Sequence, residues 1–599
     1  MPDIIILGGS AMNFKRGLAF ALAAVMACAA LPACSKTDNA SSSGSSASSG
    51  ASSAKVKNDP WELDFTIPGG KDAVSTDNSI GQYLKNKFNV TIKITGYSGD
   101  YSSLCAGELA AGNYPEMMML SDSTVFKNYV KAGALMDMGA LAKKYAPNML
   151  TFYKDQIPLW QYISDADGKM YCFTADSPDV EQTTGGSFFD MCVRSDIIKE
   201  QNYPTLLDED SYINLLKKGL TAHPKTDGQT TLGMVQGAAE NWVLVQAMTQ
   251  IYARGKYGEG SGILQYDPDT KKKVDLILDS TNFKEGIRFW NKMWREGILD
   301  KECFTDKDEN AEQKLETGRA LSTFYVTWEL PDINKALKTA KKSQYSYVIM
   351  PIMLKSQIAD KQSRVGTITD AYNSQTIVIT KNSKNYDKIM QIVNWACTEE
   401  GQNLLGWGIK GKHYTVGTDG LKVPTAAYIA CMNGTGSDTH FNDGLGNLTS
   451  YFFFGLSSGY DKNGQCYNII HDTSVQNAAM DNATKDIYSH YGWTSVTDPW
   501  KKNKQFSYKL IHSTDAMSKG NSDAQAEENV LGTKLGNYRD NHLAGLIMAS
   551  SDADFEAKWA NFVAGYKAID PKGIVKQKAN EGYKEAQDLL KKYKTEGLQ

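Results

Sequence analysis

The chain has 599 residues, 41% of them hydrophobic, and a formal net charge of -4. That length is ample for a buried core and too long for one ordinary domain, so two large lobes are expected. The charge is mildly acidic with no basic stripe, which argues against nucleic acid as a partner.

Lys15 and Arg16 supply a short positive flank, and Leu18 to Leu31 then runs almost without a polar side chain. The run closes on Leu31-Pro32-Ala33-Cys34. A positive n-region, an apolar h-region and a small residue at the cut make a secretory signal. The apolar run is too short and too Ala-rich for a membrane span. The cysteine after the cut makes it resemble a bacterial lipoprotein signal, in which the Cys sulfur takes a diacylglycerol and becomes the new N-terminus. Residues 1–33 are therefore expected to leave, with Cys34 lipidated. Val25-Met26-Ala27-Cys28 also fits such a box, but it leaves the apolar tail Ala29 to Leu31 after the cut, whereas Cys34 is followed by Ser35 and Lys36. Met1 to Ala11 reads as an upstream misread start, because Met12-Asn13-Phe14-Lys15 begins a more typical signal. Residues 34–58 are Ser- and Gly-rich and are expected as a flexible, lipid-anchored tether, with a reach of roughly 25–30 Å. No second apolar segment reaches membrane-spanning length.

The folded body is expected from about Trp61. Glu62 to Ile67 alternates as a strand and stops at Pro68-Gly69-Gly70. Ser79 to Phe88 reads as a helix, Asn89 to Thr95 as a β-branched strand, and Ser102 to Ala111 as a helix. Glu116 to Leu120 is an apolar run fit for a buried parallel strand, followed by helical patterns at Thr124–Ala132 and Met138–Tyr145. Strands alternating with helices predict a parallel α/β sheet. Asn282 to Glu296 places Phe283, Ile287, Trp290 and Met293 on one helical face, and Gly297 ends it. Thr376 to Thr380 reads as a strand and Asn385 to Glu400 as one helix. Phe555 to Tyr566 and Ala579 to Tyr593 mark two amphipathic helices. Thr418 to Trp500 is rich in Gly, Asn, Thr and aromatics and reads as long loops with short elements.

Nine cysteines are present; seven lie beyond the signal and its anchor, from Cys105 to Cys466. Their wide spacing lacks the density of a disulfide framework and the paired intervals of a zinc site, so most are expected as buried small hydrophobes. One disulfide stays open. No metal or cofactor is expected. Gly455-Leu456-Ser457-Ser458-Gly459 matches a nucleophile elbow, but a turn follows it where a helix is required. Gly406 to Lys412 nearly matches a phosphate loop, but His413 stands where Ser or Thr must bind magnesium. Asp165-Ala166-Asp167-Gly168 lacks the length of a calcium loop.

Several stretches, in order, resemble extracellular solute-binding proteins of family 1, the large lipoprotein branch serving carbohydrate ABC importers. Glu400 to Val416 contains Trp407-Gly408-Ile409-Lys410-Gly411-Lys412-His413-Tyr414, similar to that branch's signature after an ending helix. Phe289 to Asp300 is similar to the family's helix before a Gly-x-Ala segment, which stands here as Gly318-Arg319-Ala320, followed by Trp328. Asp167-Gly168-Lys169-Met170-Tyr171 matches its turn before the first interlobe crossing. The resemblance covers the body from about Trp61 onward. It implies an α/β, two-lobe periplasmic-binding-protein-like fold of type II, lobes joined by crossing hinge segments, with ligand in the cleft. By that likeness lobe one holds 59–186 and 374–415, and lobe two 187–373 and 416–599. It also implies a monomer, not an enzyme, on the outer face of the cytoplasmic membrane of a Gram-positive-type bacterium. Such a protein captures an oligosaccharide and delivers it to ABC permease subunits. An exported glycoside hydrolase, or a receptor for a peptide or sugar-phosphate, are the alternatives.

Sugar recognition needs aromatic faces for the apolar side of a ring, and amides or carboxylates for adjacent hydroxyls. Closing two lobes removes water, so each polar group must find a partner. Trp328 follows the run Ala320 to Val326, where the family places a stacking aromatic; the other reading is a core Trp. Trp242, with Asn241 beside it, stands where the family often offers an aromatic. Asp122 follows the strand Glu116–Leu120 at its carboxyl end, where α/β folds place ligand groups; it also fits a helix N-cap before Val125. Tyr372 and Asn373 lie at the expected return crossing. Trp407 and Tyr414 read as structural packing.

Overall fold

The computed structural model describes residues 59–598 apart from 69–76, 121, 167, 175–188, 207, 241–242, 245–256, 259–262, 269–270, 276–280, 327–329, 369–375, 438–439, 441, 446–459, 495–497, 503–506, 522 and 524. In chain order the strands begin with β1 (Trp61–Pro68), β2 (Val90–Tyr97), β3 (Met117–Leu120), β4 (Phe173–Thr174), β5 (Phe189–Arg194) and β6 (Lys225–Thr226). They continue with β7 (Gln229–Thr230), β8 (Leu232–Val235), β9 (Tyr257–Gly258), β10 (Leu264–Asp267), β11 (Lys272–Asp275) and β12 (Ala320–Val326). The last are β13 (Tyr347–Met350), β14 (Arg364–Ile368), β15 (Thr376–Ile379), β16 (Tyr414–Val416), β17 (Lys422–Pro424) and β18 (Tyr508–His512).

Five strands form the first large sheet in the order β2-β1-β3-β15-β4. β1 is parallel to β2 and β3, and β15 runs antiparallel to β3 and β4. Met117 to Leu120 of β3 and Ile377 to Ile379 of β15 are apolar without a break because both faces are covered. Met117 and Met119 face one core with Ile377 and Ile379, under the helices Met138–Tyr145 and Tyr386–Ala396. Met118, Leu120 and Val378 face the other, with Tyr101, Phe126 and Tyr129. Four helices on this sheet start at side-chain caps. Asn78, Asp100, Asp122 and Asp137 each accept a backbone N–H of the following turn, which satisfies donors that the helix itself leaves orphaned.

The second sheet has the order β13-β5-β12-β8. Its core joins Met191, Val193, Met234, Leu321, Phe324, Val348 and Met350 with Phe283, Ile287 and Trp290 of the helix Thr281–Arg295. The amphipathic reading of that helix holds. Leu543, Leu546, Phe555 and Phe562, from the helices Glu527–Ile547 and Asp552–Ile569, close the same core.

One departure from the sequence reading has a local cause. The expected helix Asn385–Glu400 is two, Tyr386–Ala396 and Glu399–Trp407. Thr398 caps the second by accepting from Gly401 N–H, while its hydroxyl donates to Trp395 O at 2.6 Å. That side chain gives the backbone an alternative to continued helix. Within Thr418 to Trp500, the described residues include the helix Asn482–Tyr491, begun by Asp481 and packed through Ile487 and Tyr488 into the second core.

The chain passes from β4 to β5, returns from β14 to β15, and passes again between the helices Thr473–Ala479 and Asn482–Tyr491. β14 pairs with β18 in parallel over five residues, Arg364↔Tyr508 to Ile368↔His512. The last helix, Ile574–Glu596, touches both halves. Val575 joins the second core, while Ala586 and Leu590 pack on Leu159 of the helix Ile157–Ser164. The amide Nε2 of Gln161 donates to Gly597 O at 3.0 Å.

Trp407 and Tyr414 are buried with Tyr428, Leu445, Ile469 and Val475. The chain therefore stays beside the signature well past residue 415, because this cluster supplies the cover the indole needs. The indole N–H of Trp407 donates to Cys466 O at 2.9 Å. Trp407→Ala should cost about 3–5 kcal/mol of stability, measured by urea unfolding; a loss under 1 kcal/mol would show that the cluster closes without it.

Candidate functional site

The geometry of the site follows from the register of the two sheets. The β1–β3 pairing Thr66↔Met118 brings Leu120 level with Pro68, which itself pairs with Tyr97. Thr376 opposes both Leu120 and Thr174. Tyr97, Pro68, Leu120, Thr376 and Thr174 thus form one row across the first sheet, at the carboxyl ends of its parallel strands. In the second sheet Val326 opposes Phe189 and Met350 opposes Met191, with β8 parallel to β12. The carboxyl ends of β8, β12 and β13 therefore share an edge with the start of β5. Because the chain runs from Thr174 of one row to Phe189 of the other, the two edges are joined to each other. Ligands of open α/β sheets bind at such edges.

Among the sequence-derived candidates, Asp122 lies within the described residues. It stands two positions beyond Leu120, and its Oδ1 accepts from Thr124 N–H at 2.7 Å and Val125 N–H at 2.9 Å. It is the N-cap of the helix Ser123–Lys131, which is the alternative its sequence context offered. Trp328, Trp242, Asn241, Tyr372 and Asn373 lie outside the described residues, as does Cys34. Their neighbours are placed: Trp328 follows β12, Asn241 and Trp242 follow Glu240, and Tyr372 and Asn373 fall between β14 and β15.

Two edge residues escaped the sequence reading. Tyr97, the last residue of β2, is 39% exposed. Gln236, just beyond β8, is buried; its Nε2 donates to Thr323 Oγ1 and Phe324 O, and its Oε1 finds no partner among the described residues. The strand-end rule that selected Asp122 selects Tyr97 equally well. Nothing in the sequence distinguishes Gln236 from a surface glutamine.

The segment leaving β8 is fixed by backbone bonds. Ala238 N–H donates to Cys303 O at 2.8 Å and Ala239 N–H to Asp306 O at 3.0 Å. The turn that accepts them is gathered around Lys314, whose ammonium lies 2.7 Å from Asp300, 2.7 Å from Glu302 and 2.5 Å from Asp306. Burial works against the ammonium, but the three carboxylates hold its pKa above the usual lysine value. These carboxylates are close enough together to suit a metal ion, and the lysine occupies their centre. A second group, Asp196, Glu200 and His223, is likewise engaged by protein side chains. The guanidinium of Arg194 takes both oxygens of Asp196, and His223 sits 2.5 Å from Glu200. Lys314→Met leaves Asp300 and Asp306 uncompensated at low exposure and should cost about 3–5 kcal/mol. Lys592→Met, which breaks an exposed pair with Glu596, should cost under about 1 kcal/mol. Urea unfolding of the two variants checks the contrast; equal losses would refute it.

The Trp407–Tyr414 signature has a structural purpose. Gly408 adopts φ +80°, and a side chain there would meet His413 Nδ1 at 2.4 Å. His413 is buried. Ile409 N–H donates to its Nδ1 at 2.8 Å, so the ring carries its proton on Nε2 and faces Asp443 Oδ2 at 2.9 Å. Lys412 Nζ and the hydroxyl of Ser79 both reach Asp443 Oδ1. The signature thereby ties the start of the helix Ser79–Phe88 to a segment more than 360 residues away. Burial opposes the Asp443 anion, yet the bonds from Lys412, Ser79 and His413 hold its pKa below the ordinary aspartate value. A depressed carboxylate stabilises the fold above the unfolded pKa, and that contribution fades as pH falls through the folded one. Asp443→Asn should therefore lower the melting temperature most above the ordinary aspartate pKa of about 3.9, with the effect shrinking as pH falls below it. A deficit that persists unchanged at acid pH would refute the charge assignment.

Residues 79–409 match the family model for bacterial extracellular solute-binding proteins. A curated relative is the fructooligosaccharide ABC transporter substrate-binding protein FusA of Streptococcus pneumoniae serotype 4, 22% identical over 344 residues. The match covers 55% of this chain and 59% of that protein, so the chain spans less than two thirds of its relative's length. Among solved structures, an HMO-binding, ABC-transporter-associated solute-binding protein from Bifidobacterium longum infantis is similar with a TM-score of 0.64 at 14% identity. The comparison covers 88% of this chain and 99% of that one. FusA from S. pneumoniae in complex with kestose gives a TM-score of 0.60 at 15% identity, over 88% of this chain and 100% of that one. At such identities the likeness concerns the fold, which is the two-lobe, type II periplasmic-binding-protein-like architecture.

Proposed function

The chain belongs to the bacterial extracellular solute-binding protein family, and from that we propose that it captures an oligosaccharide outside the cytoplasmic membrane and delivers it to an ABC permease. The observation that carries this reading is the family match over residues 79–409, on a chain whose two sheets present joined carboxyl edges. FusA supports the choice of a carbohydrate, since its structure holds kestose. The family and these neighbours are binding proteins rather than enzymes.

The first lobe, on this reading, runs from residue 59 to 186 and resumes at 374. The buried cluster from Trp407 to Val475 supports extending it through the helix Thr473–Ala479. The second lobe takes 187–373 and most of the chain beyond that helix. Trp328 and Trp242 supply stacking faces, Asn241 and Asn373 supply amides, and Tyr372 lies at the return crossing. Asp122 offers the second oxygen of a carboxylate whose first is fixed by the helix start. Lobe closure removes water from these groups, so a hydroxyl without a matching partner is penalised. The tether from Cys34 keeps the body near a membrane permease.

A thermal-shift screen against kestose, nystose, maltotriose and chitotriose tests the reading. A true ligand at 100 times its dissociation constant should add about 2.7 kcal/mol of stability. No shift with any glycan, or the appearance of cleaved products, would overturn it. Trp328→Ala tests the site. Loss of a stacking anchor should weaken binding by at least about 2 kcal/mol, or roughly thirtyfold, while ligand-free melting stays near wild type. Collapsed melting with normal binding by the folded fraction would make Trp328 a core residue.

A further inference from the structure

We propose that Tyr97 is a stacking platform for a sugar ring at the outer end of the first sheet's carboxyl edge, and so sets the length of glycan the cleft prefers. The inference rests on the glycan-binding reading above. It names a residue and a subsite which that reading does not contain.

Position is the first argument. Tyr97 ends β2, the outermost strand of its sheet, and lies in the row with Pro68 and Leu120 that leads to Asp122. Two strand spacings separate β2 from β3, which places Tyr97 about 10 Å along the edge from that position. A chain of sugars lying along the edge would reach both. Among the described residues, the large apolar side chains left exposed are Tyr97, Val416, Val423, Tyr460 and Met548. Only Tyr97 of these stands at the carboxyl edge of a large sheet.

The second argument is how the ring is held. A Cβ at Gly99 would lie 2.8 Å from Tyr97 Cε1 and 3.0 Å from Cζ and the hydroxyl oxygen. The ring therefore rests on the Gly99 backbone, an approach that a side chain at 99 would prevent. Tyr101 braces it from the side, with ring centres 6.4 Å apart at 46°. Tyr101 is fixed in turn, donating its hydroxyl to Thr66 O at 3.0 Å near the end of β1. An exposed aromatic seated on glycine and braced by an anchored neighbour is preorganised. Little rotamer freedom is lost when a ligand covers it. The chemistry that matches is the apolar C–H face of a neutral sugar ring, with no ion involved.

The test uses the full mature chain and the trisaccharide probes kestose, maltotriose and chitotriose, each compared with its disaccharide counterpart by calorimetry. Tyr97→Ala should weaken the bound trisaccharide about tenfold and its disaccharide less than twofold, while ligand-free melting stays near wild type. Tyr97→Phe should keep wild-type affinity, because the ring face and not the hydroxyl is used. Tyr97→Thr, which retains a good strand former, replaces the alanine variant if that one fails to fold. Unchanged trisaccharide affinity in the variant lacking the ring overturns this inference and leaves the function standing. Equal losses in Tyr97→Phe and Tyr97→Ala overturn stacking. Failure of the wild type to bind every probe overturns the glycan reading and this inference with it.

Discussion

The parallel pairing of β14 with β18 is the constraint on which the rest of the molecule depends. Five backbone pairs join two segments that lie 144 positions apart in the chain. β14 stands between the last strand of the second sheet and the return to the first. β18 leads into Met517, which packs on Leu159 and Ala586 beside the first sheet's helices. The return passage between the halves is thus bound to a segment that reaches the first half. Backbone pairs of this kind resist sliding, because a one-residue slip turns every side chain to the wrong face. They leave room for bending where the strands end, and closure about a few element-terminal residues is how such folds move.

The final helix adds a second link of a different kind. Its contacts with the two halves are apolar, through Val575 on one side and through Ala586 and Leu590 on the other. Lys519 adds charge at the same place, reaching both Asp165 and Glu585. Those pairs are half-exposed and contribute little to stability. The apolar contacts decide where the helix lies.

The buried charges divide the remaining work. Lys314 holds the turn against which the segment after β8 is bonded, and Asp443 holds the signature against the first helix. Both are paired on every side, as a charge away from water must be. The carboxyl edges themselves carry groups of another character: an exposed tyrosine, a capping aspartate and a half-satisfied buried glutamine. Structure is kept by saturated polar groups, whereas these edge groups keep surface or bonding capacity to spare.

The sequence by itself determined the local elements. Period and punctuation placed the helices Ser79–Phe88 and Met138–Tyr145 at the bounds the structure shows, because helix caps and apolar stripes are written within a dozen residues. It also determined the family, through ordered motifs whose glycine and histidine turn out to be locked together by contact. It named Asp122 as a ligand group at a strand end, with a helix N-cap as the other reading. Only the tertiary structure decided that Asp122 caps a helix, that Tyr97 ends an edge strand in line with it, and that Trp407 draws residues as distant as Val475 into one cluster. The physical reason is range. Capping and periodicity act between near neighbours, whereas an edge exists only when strands from Trp61 to Ile379 are laid side by side, and that pairing depends on contacts hundreds of residues apart.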